Sequence, residues 1–92
     1  MIDISDQINA WFDEILAKAI SSRASDIHID PERNTIVIRF RIDGLLQVID
    51  HLNKDMQENL ISRIKVLAGM NITERRLPQD GRFEMTHLEK MK

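Results

Sequence analysis

The sequence predicts one small α+β domain, a two-layer arrangement with a mainly antiparallel sheet and two helices on one of its faces. Three observations carry that prediction. Two stretches repeat apolar residues at steps of three and four, the period of a helix. Between them lie runs in which apolar and polar residues alternate, the period of a strand. The order of these stretches is helix, strand, strand, strand, helix, strand, which suits a sheet covered on one side. At 92 residues there is room for one modest core, and 42% hydrophobic with 30% charged residues is the balance of a folded chain.

The first helix is predicted over 7–22, where Ile8, Trp11, Phe12, Ile15, Leu16, Ala19 and Ile20 share a face and Asp13 and Lys18 fall outside it. Ser5 or Asp6 is placed to cap its first turn. SSRAS breaks the pattern. In SDIHIDP, Ile27 and Ile29 alternate with Asp26, His28 and Asp30, and Pro31, lacking an N–H, ends the strand. After a turn at 32–34, TIVIRFRIDG sets Ile36, Ile38, Phe40 and Ile42 on one side and Val37, Arg39, Arg41 and Asp43 on the other. Asp43-Gly44 signals a tight turn, so LLQVIDHL returns as the third strand.

The second helix is predicted over 54–69, with Met56, Leu60, Ile61, Ile64, Leu67 and Ala68 on one face, Gly69 at its end and Arg63 off the stripe. NITE and the arginine-rich stretch that follows read as loop. RFEM starts a last strand, whose hairpin partner is expected beyond residue 92, and residues 86–92 are expected to fray.

Composition narrows the function. No cysteine is present, which removes disulfides, thiol catalysis and cysteine zinc sites. A formal charge of -2 supplies no overall attraction to nucleic acid or anionic lipid. The N-terminus reads neither as a signal peptide nor as a membrane span, so a cytosolic setting is expected. His28, Asp30 and His51 lack a diagnostic metal-ligand spacing, so no metal is expected. The serines lack a nucleophile elbow, and neither common phosphate-binding glycine pattern occurs. The aromatics Trp11, Phe12, Phe40 and Phe83 sit at core positions, which argues against nucleic-acid stacking.

The remaining chemistry is arginine: Arg39 and Arg41 on a strand face, Arg63 on a helix, and Arg75, Arg76 and Arg82 around a turn. The planar guanidinium meets phosphate oxygens two at a time and stays charged at physiological pH. The plain alternative is ion pairing with Asp26, Asp30, Asp43, Glu74 and Asp80 on a solvated surface. In RRLPQDGRF, Pro78 stiffens the approach, Asp80-Gly81 makes a tight turn, and Gln79 and Asp80 hydrogen-bond the loop, fixing the direction of the arginines around it.

ASDIHIDPE (24–32), IRFRIDGLL (38–46) and LISRIKVLAGMNITERRLPQDGRF (60–83), in that order, resemble the second N-terminal domain of the type II secretion and type IV pilus assembly ATPases. The resemblance covers about residues 10–84. It implies a PAS-like fold and a place before a RecA-like ATPase domain that binds ATP with Mg. It also implies a homohexamer, cytoplasmic and peripheral at the inner membrane, partnered by secretion or pilus platform proteins. The segment itself would not be an enzyme. Matched residue by residue, Arg39, Arg41, Arg76 and Arg82, with Arg63 as a further candidate, would face nucleotide held by the RecA-like domain of the same or a neighbouring subunit. Asp30 stands where the family pattern has Glu. The other class of function kept open is a stand-alone PAS-like sensing or adaptor domain that binds a protein partner.

Overall fold

The computed structural model of the chain describes residues 4–68, 73–77 and 82–86. Helix α1 (Ile4–Ser21) precedes strands β1 (Asp26–Pro31), β2 (Thr35–Ile42) and β3 (Leu45–Asn53). A 3-10 turn (Lys54–Met56), helix α2 (Gln57–Ala68) and strands β4 (Thr73–Leu77) and β5 (Arg82–Thr86) follow. The strands form one five-stranded sheet in the order β3-β2-β1-β5-β4, antiparallel at every pairing. Both helices lie on one face, and the two-layer α+β expectation is met.

The core follows the sequence periods. Ile8, Phe12, Ile15, Leu16 and Ala19 of α1 and Leu60, Ile64 and Leu67 of α2 pack on Ile27, Ile29, Ile36, Ile38, Phe40 and Met85 of the sheet. Burial of each large apolar side chain contributes about 1.5–3 kcal/mol, which makes this layer the main source of stability. Phe12 and Phe40 are completely enclosed, and Trp11 is half-buried at the edge of the core.

Helix α1 begins at Ile4, so Ser5 and Asp6 lie within it instead of capping it. An acidic residue in the first turn complements the positive end of the helix dipole, so the helix runs past the expected cap. Its other end closes on Arg23, whose φ is 61°. The Arg23 N–H donates to the Ile20 carbonyl at 3.1 Å and the Ala24 N–H to the Ala19 carbonyl at 2.9 Å. That is the paired bonding of a left-handed helix cap, with arginine where glycine is usual. The second helix starts with a 3-10 turn because the Asn53 side chain accepts from the Asp55 N–H at 2.8 Å. Gly69 lies outside the described residues.

Asp43 (φ 53°) and Gly44 (φ 82°) form the predicted two-residue hairpin turn, joining Ile42 to its partner Leu45. Further along, Ile38 pairs with Asp50 but Arg39 pairs with Val48, leaving Ile49 as an extra residue. This bulge resets the alternation of β3. Leu46 and Val48 stand in the rows of Arg41 and Arg39, yet Asp50 still reaches the helix side, where it accepts a hydrogen bond from Trp11 Nε1 at 3.0 Å.

The structure corrects the C-terminal reading. Thr73–Leu77, read as loop, is strand β4, and it supplies the hairpin partner of β5 from upstream. TERRL has no apolar alternation because an edge strand is held by its backbone ladder and needs no buried side-chain row. Thr86 is paired within β5, opposite Asp26 and Thr73, and residues 87–92 lie outside the described set.

Candidate arginine site on the open face of the sheet

The alternation of β2 decides what the helix-free face carries. With Ile36, Ile38 and Phe40 turned into the core, Arg39 and Arg41 must project on the opposite side. In β1 the same logic sends Ile27 and Ile29 inward and Asp26, His28 and Asp30 outward. Antiparallel register then places Asp26 directly opposite Arg41 and His28 opposite Arg39.

Both arginines are held by carboxylates. Arg39 Nη1 donates to Asp30 Oδ2 at 2.8 Å, and its Nη2 faces Glu32 Oε2 at 3.6 Å. Arg41 Nε lies 3.2 Å from Asp26 Oδ2, and its Nη1 donates to the Gly44 carbonyl at 3.2 Å. The Ser25 hydroxyl donates to Asp26 Oδ2 at 2.9 Å, and the Ser25 N–H donates to the Arg41 carbonyl at 3.0 Å. The expected ion pairing is thus realised for Arg39 with Asp30 and for Arg41 with Asp26. Asp43 makes no ion pair with a described arginine; the carbonyl of its neighbour Gly44 takes that place.

This arrangement has two physical consequences. The guanidinium groups are oriented before anything binds, because long side chains that roam in solution are here tied at two points each. The local charge is also nearly balanced, with two arginines facing Asp26, Asp30 and Glu32. An anion arriving at these groups must therefore use donors that the carboxylates leave over.

The other candidate arginines are distributed differently. Arg63 belongs to the helical layer, where its Nη2 reaches Asp13 Oδ1 of α1 at 2.6 Å. The sheet separates it from Arg39 and Arg41, so the three do not converge on one ligand within this domain. Arg63 lines an open groove of about 350 Å³ with Asn9, Glu58, Asn59, Ser62 and Val66. Arg76 stands opposite Phe83, which stands opposite Ile29 in register. Arg75 stands opposite Glu84, which stands opposite His28 in register. Arg82 is two residues from Glu84 on β5 and shares its parity, one strand away from β1. Arg75 and Arg76 thus lie in a strand, and Pro78, Gln79, Asp80 and Gly81 lie outside the described residues.

Several participants escaped the sequence reading. Ser25 and Glu32 flank β1, and the Gly44 carbonyl belongs to a turn noted only for its conformation. Counting back from the expected turn at 32–34 would have put Asp26 opposite Phe40; the turn is one residue shorter, with the Glu32 N–H donating to the Thr35 carbonyl at 2.7 Å, and that shift sets Asp26 opposite Arg41. His28 sits between Arg39 and Glu84 in register, and its Nε2 is buried without a hydrogen-bond partner among the described residues. No three or more histidines, aspartates or glutamates among the described residues gather as a metal site. On the edge beside the arginines, Leu45, Leu46 and Val48 are exposed apolar residues. No described helix is long and apolar enough to cross a membrane.

Comparison with known proteins is consistent with these motifs. The sequence profile of the family described as "Type II/IV secretion system protein" matches residues 3–91. The "Type II secretion system protein E" of Aeromonas hydrophila is 48% identical over 71 residues, covering 77% of this chain and 14% of the relative. The "Type IV pilus assembly ATPase PilB" of Myxococcus xanthus is 44% identical over 71 residues, again 77% of this chain and 12% of the relative. The protein of the same name from Thermus thermophilus is 45% identical over 69 residues, 75% of this chain and 8% of the relative. The chain therefore spans a small fraction of the length of the relatives it matches. With a profile match along nearly its whole length and these identities, the chain belongs to the type II/IV secretion system protein family.

Proposed function

We propose that this chain is the nucleotide-interface and domain-coupling module of a type II secretion or type IV pilus assembly motor. In this reading it supplies arginines to ATP, with its Mg, held on a RecA-like domain of the same or a neighbouring subunit. The parent is a homohexamer, cytoplasmic and peripheral at the inner membrane, and works against the secretion or pilus platform. The module performs no hydrolysis alone. It brings charge to phosphates held elsewhere, and its swing toward and away from them couples turnover to movement.

One observation supports the reading above the rest. Arg39 and Arg41 project from the face that the helices leave open, each fixed at two points. A guanidinium stabilises developing phosphoryl charge when it is already oriented, and such groups supplied in trans contribute roughly 10³–10⁵ in rate in other phosphoryl-transfer systems. The separation of Arg63 in the helical layer assigns it a bracing role under this reading, leaving Arg39, Arg41, Arg76 and Arg82 as the phosphate-side set.

The test is ATP turnover by a chimera in which residues 3–91 replace the matching segment of a full-length relative. It is measured at matched oligomeric state, with and without the module. Turnover is expected to collapse without it, and Arg41→Ala or Arg82→Ala is expected to cut turnover while the domain stays folded. Unchanged turnover in both variants would refute the assignment. A second reading, a protein-binding adaptor, draws on the exposed Leu45, Leu46 and Val48 at the sheet edge. It predicts normal turnover with loss of a docked protein when Val48 is made charged.

A further inference from the structure

We infer that Asp26, Ser25 and the Gly44 turn are positioning residues for Arg41, and that Arg41, ahead of Arg39, presents its free Nη2 to the terminal phosphate. This rests on the proposed nucleotide-interface reading and deepens it by separating the group that touches phosphate from the groups that aim it.

An arginine has five N–H donors spread over three nitrogens. In Arg41, Nε lies in an ion pair 3.2 Å from Asp26 Oδ2 and Nη1 donates to the Gly44 carbonyl, while Nη2 makes neither an ion pair nor a hydrogen bond among the described residues. In Arg39 both terminal nitrogens are turned toward carboxylates, those of Asp30 and Glu32. Exposure agrees with this division: the Arg41 side chain is 37% exposed against 28% for Arg39, while Asp26 is only 16% exposed. Solvent, and hence a partner's phosphate, meets the guanidinium of Arg41 more readily than the carboxylate beneath it.

The clamp is closed through the backbone. Ser25 holds Asp26 Oδ2 with its hydroxyl and the Arg41 carbonyl with its N–H, so the carboxylate and the arginine it grips are tied to the same residue. On the far side, the positive φ values of Asp43 and Gly44 fold the chain back sharply, which brings the Gly44 carbonyl within reach of a side chain three residues earlier. The Ser-Asp of the first motif and the Arg-Ile-Asp-Gly of the second thereby form one device, split in sequence and joined by register. Displacement of a catalytic group by about 1 Å is able to cost about 100-fold in rate, so the quality of this grip bears directly on turnover.

The experiment compares Arg41→Ala, Arg39→Ala, Asp26→Asn and Asp26→Glu in the same chimera, with kcat and KM for ATP determined separately. Arg41→Ala is expected to lower kcat more than Arg39→Ala does. Asp26→Asn is expected to lower kcat by about 10-fold or more with KM changed less than about 2-fold, since the loss falls on charge developing in the transition state. Asp26→Glu is expected not to restore kcat, because the carboxylate advances by one methylene and turns the fork, whereas a residue that merely balanced charge would be rescued. If Arg41→Ala lowers kcat and Asp26→Asn leaves it unchanged, the clamp is refuted and the nucleotide-interface reading stands. If Arg41→Ala, Arg39→Ala and Arg82→Ala all leave turnover unchanged, that reading itself fails. A second measurement on the 92-residue chain needs no ATP. Exchange of the Arg41 Nε–H proton with water is expected to quicken at least about 10-fold in Asp26→Asn, with the backbone amide spectrum preserved. An unchanged exchange rate would overturn the clamp whatever the kinetics show.

Discussion

Removal of the Asp50 carboxylate should loosen the edge of the sheet from the first helix by a measurable amount. Asp50 Oδ2 accepts from Trp11 Nε1 at 3.0 Å, and its Oδ1 accepts from the neighbouring His51 N–H at 2.7 Å. A hydrogen bond to a charged acceptor contributes about 1.5–3 kcal/mol when well sheltered. Trp11 and Asp50 are only half-buried, so water replaces part of what is lost and about 1–1.5 kcal/mol is the expected cost of Asp50→Ala. For a domain of this size that corresponds to a fall in Tm of roughly 4–12 °C. Asp50→Asn keeps an acceptor without the charge and should cost about half as much. Trp11 is the single tryptophan, so its fluorescence during urea unfolding reports on the very group that loses its partner. A double-mutant cycle with Trp11→Phe, followed by circular dichroism, should give a coupling of about 1 kcal/mol. A cost below about 0.3 kcal/mol for Asp50→Ala together with no coupling would show that the bond is incidental and that packing alone holds α1 to β3.

Arg23→Gly should stabilise the domain by about 0.5–1 kcal/mol, because a left-handed conformation costs a non-glycine residue about 1–2 kcal/mol and part of that relief is returned as unfolded-chain entropy. Arg23→Ala, which keeps the Cβ, should leave Tm nearly unchanged, and equal effects of the two substitutions in thermal melts would rule out backbone strain as the cause. Gly44→Ala should destabilise by about 1 kcal/mol from conformation alone, since a Cβ there meets nothing within 4 Å while φ is 82°. Asp13→Asn should cost less than about 0.5 kcal/mol in 0.15 M salt, as Asp13 is 53% exposed, and Arg63→Ala somewhat more through the stem it buries. Equal unfolding midpoints for wild type and Arg63→Ala would show that the helix-layer arginine braces nothing.

What the sequence disclosed and what it withheld divide along physical lines. Both helices and the first two strands were legible because each buries one face, and burial writes a period of 3.6 or 2 into the chain, whereas β3, which buries no residue fully, was legible from the Asp43-Gly44 turn before it. Strand β4 was not, because TERRL on a sheet edge is chosen by backbone pairing and leaves no apolar row to read. The open face with Arg39 and Arg41 followed from alternation alone. The layer in which Arg63 lies did not follow, since an offset from a helical stripe says that a residue is wet without saying on which side of the molecule. The clamp required register, which the Pro31 and Asp43-Gly44 turns determine jointly. The bulge at Ile49 carried no such signal, because LLQVIDHL reads equally well without it.

The apolar edge also changes what the neighbouring arginines do for the chain before any partner is present. Strand β3 contains no lysine, arginine or proline, and its outer ladder is open among the described strands, with Leu46 and Val48 exposed along it. Such an edge invites stacking of molecule upon molecule. In the next strand, directly alongside those two residues in register, stand Arg41 and Arg39, charges of the kind that guard aggregation-prone segments. Replacement of either by alanine therefore removes a guard as well as a group proposed to donate hydrogen bonds to phosphate. Soluble yield and light scattering belong beside every rate measured on those variants, because a loss of turnover there has a colloidal route as well as a chemical one.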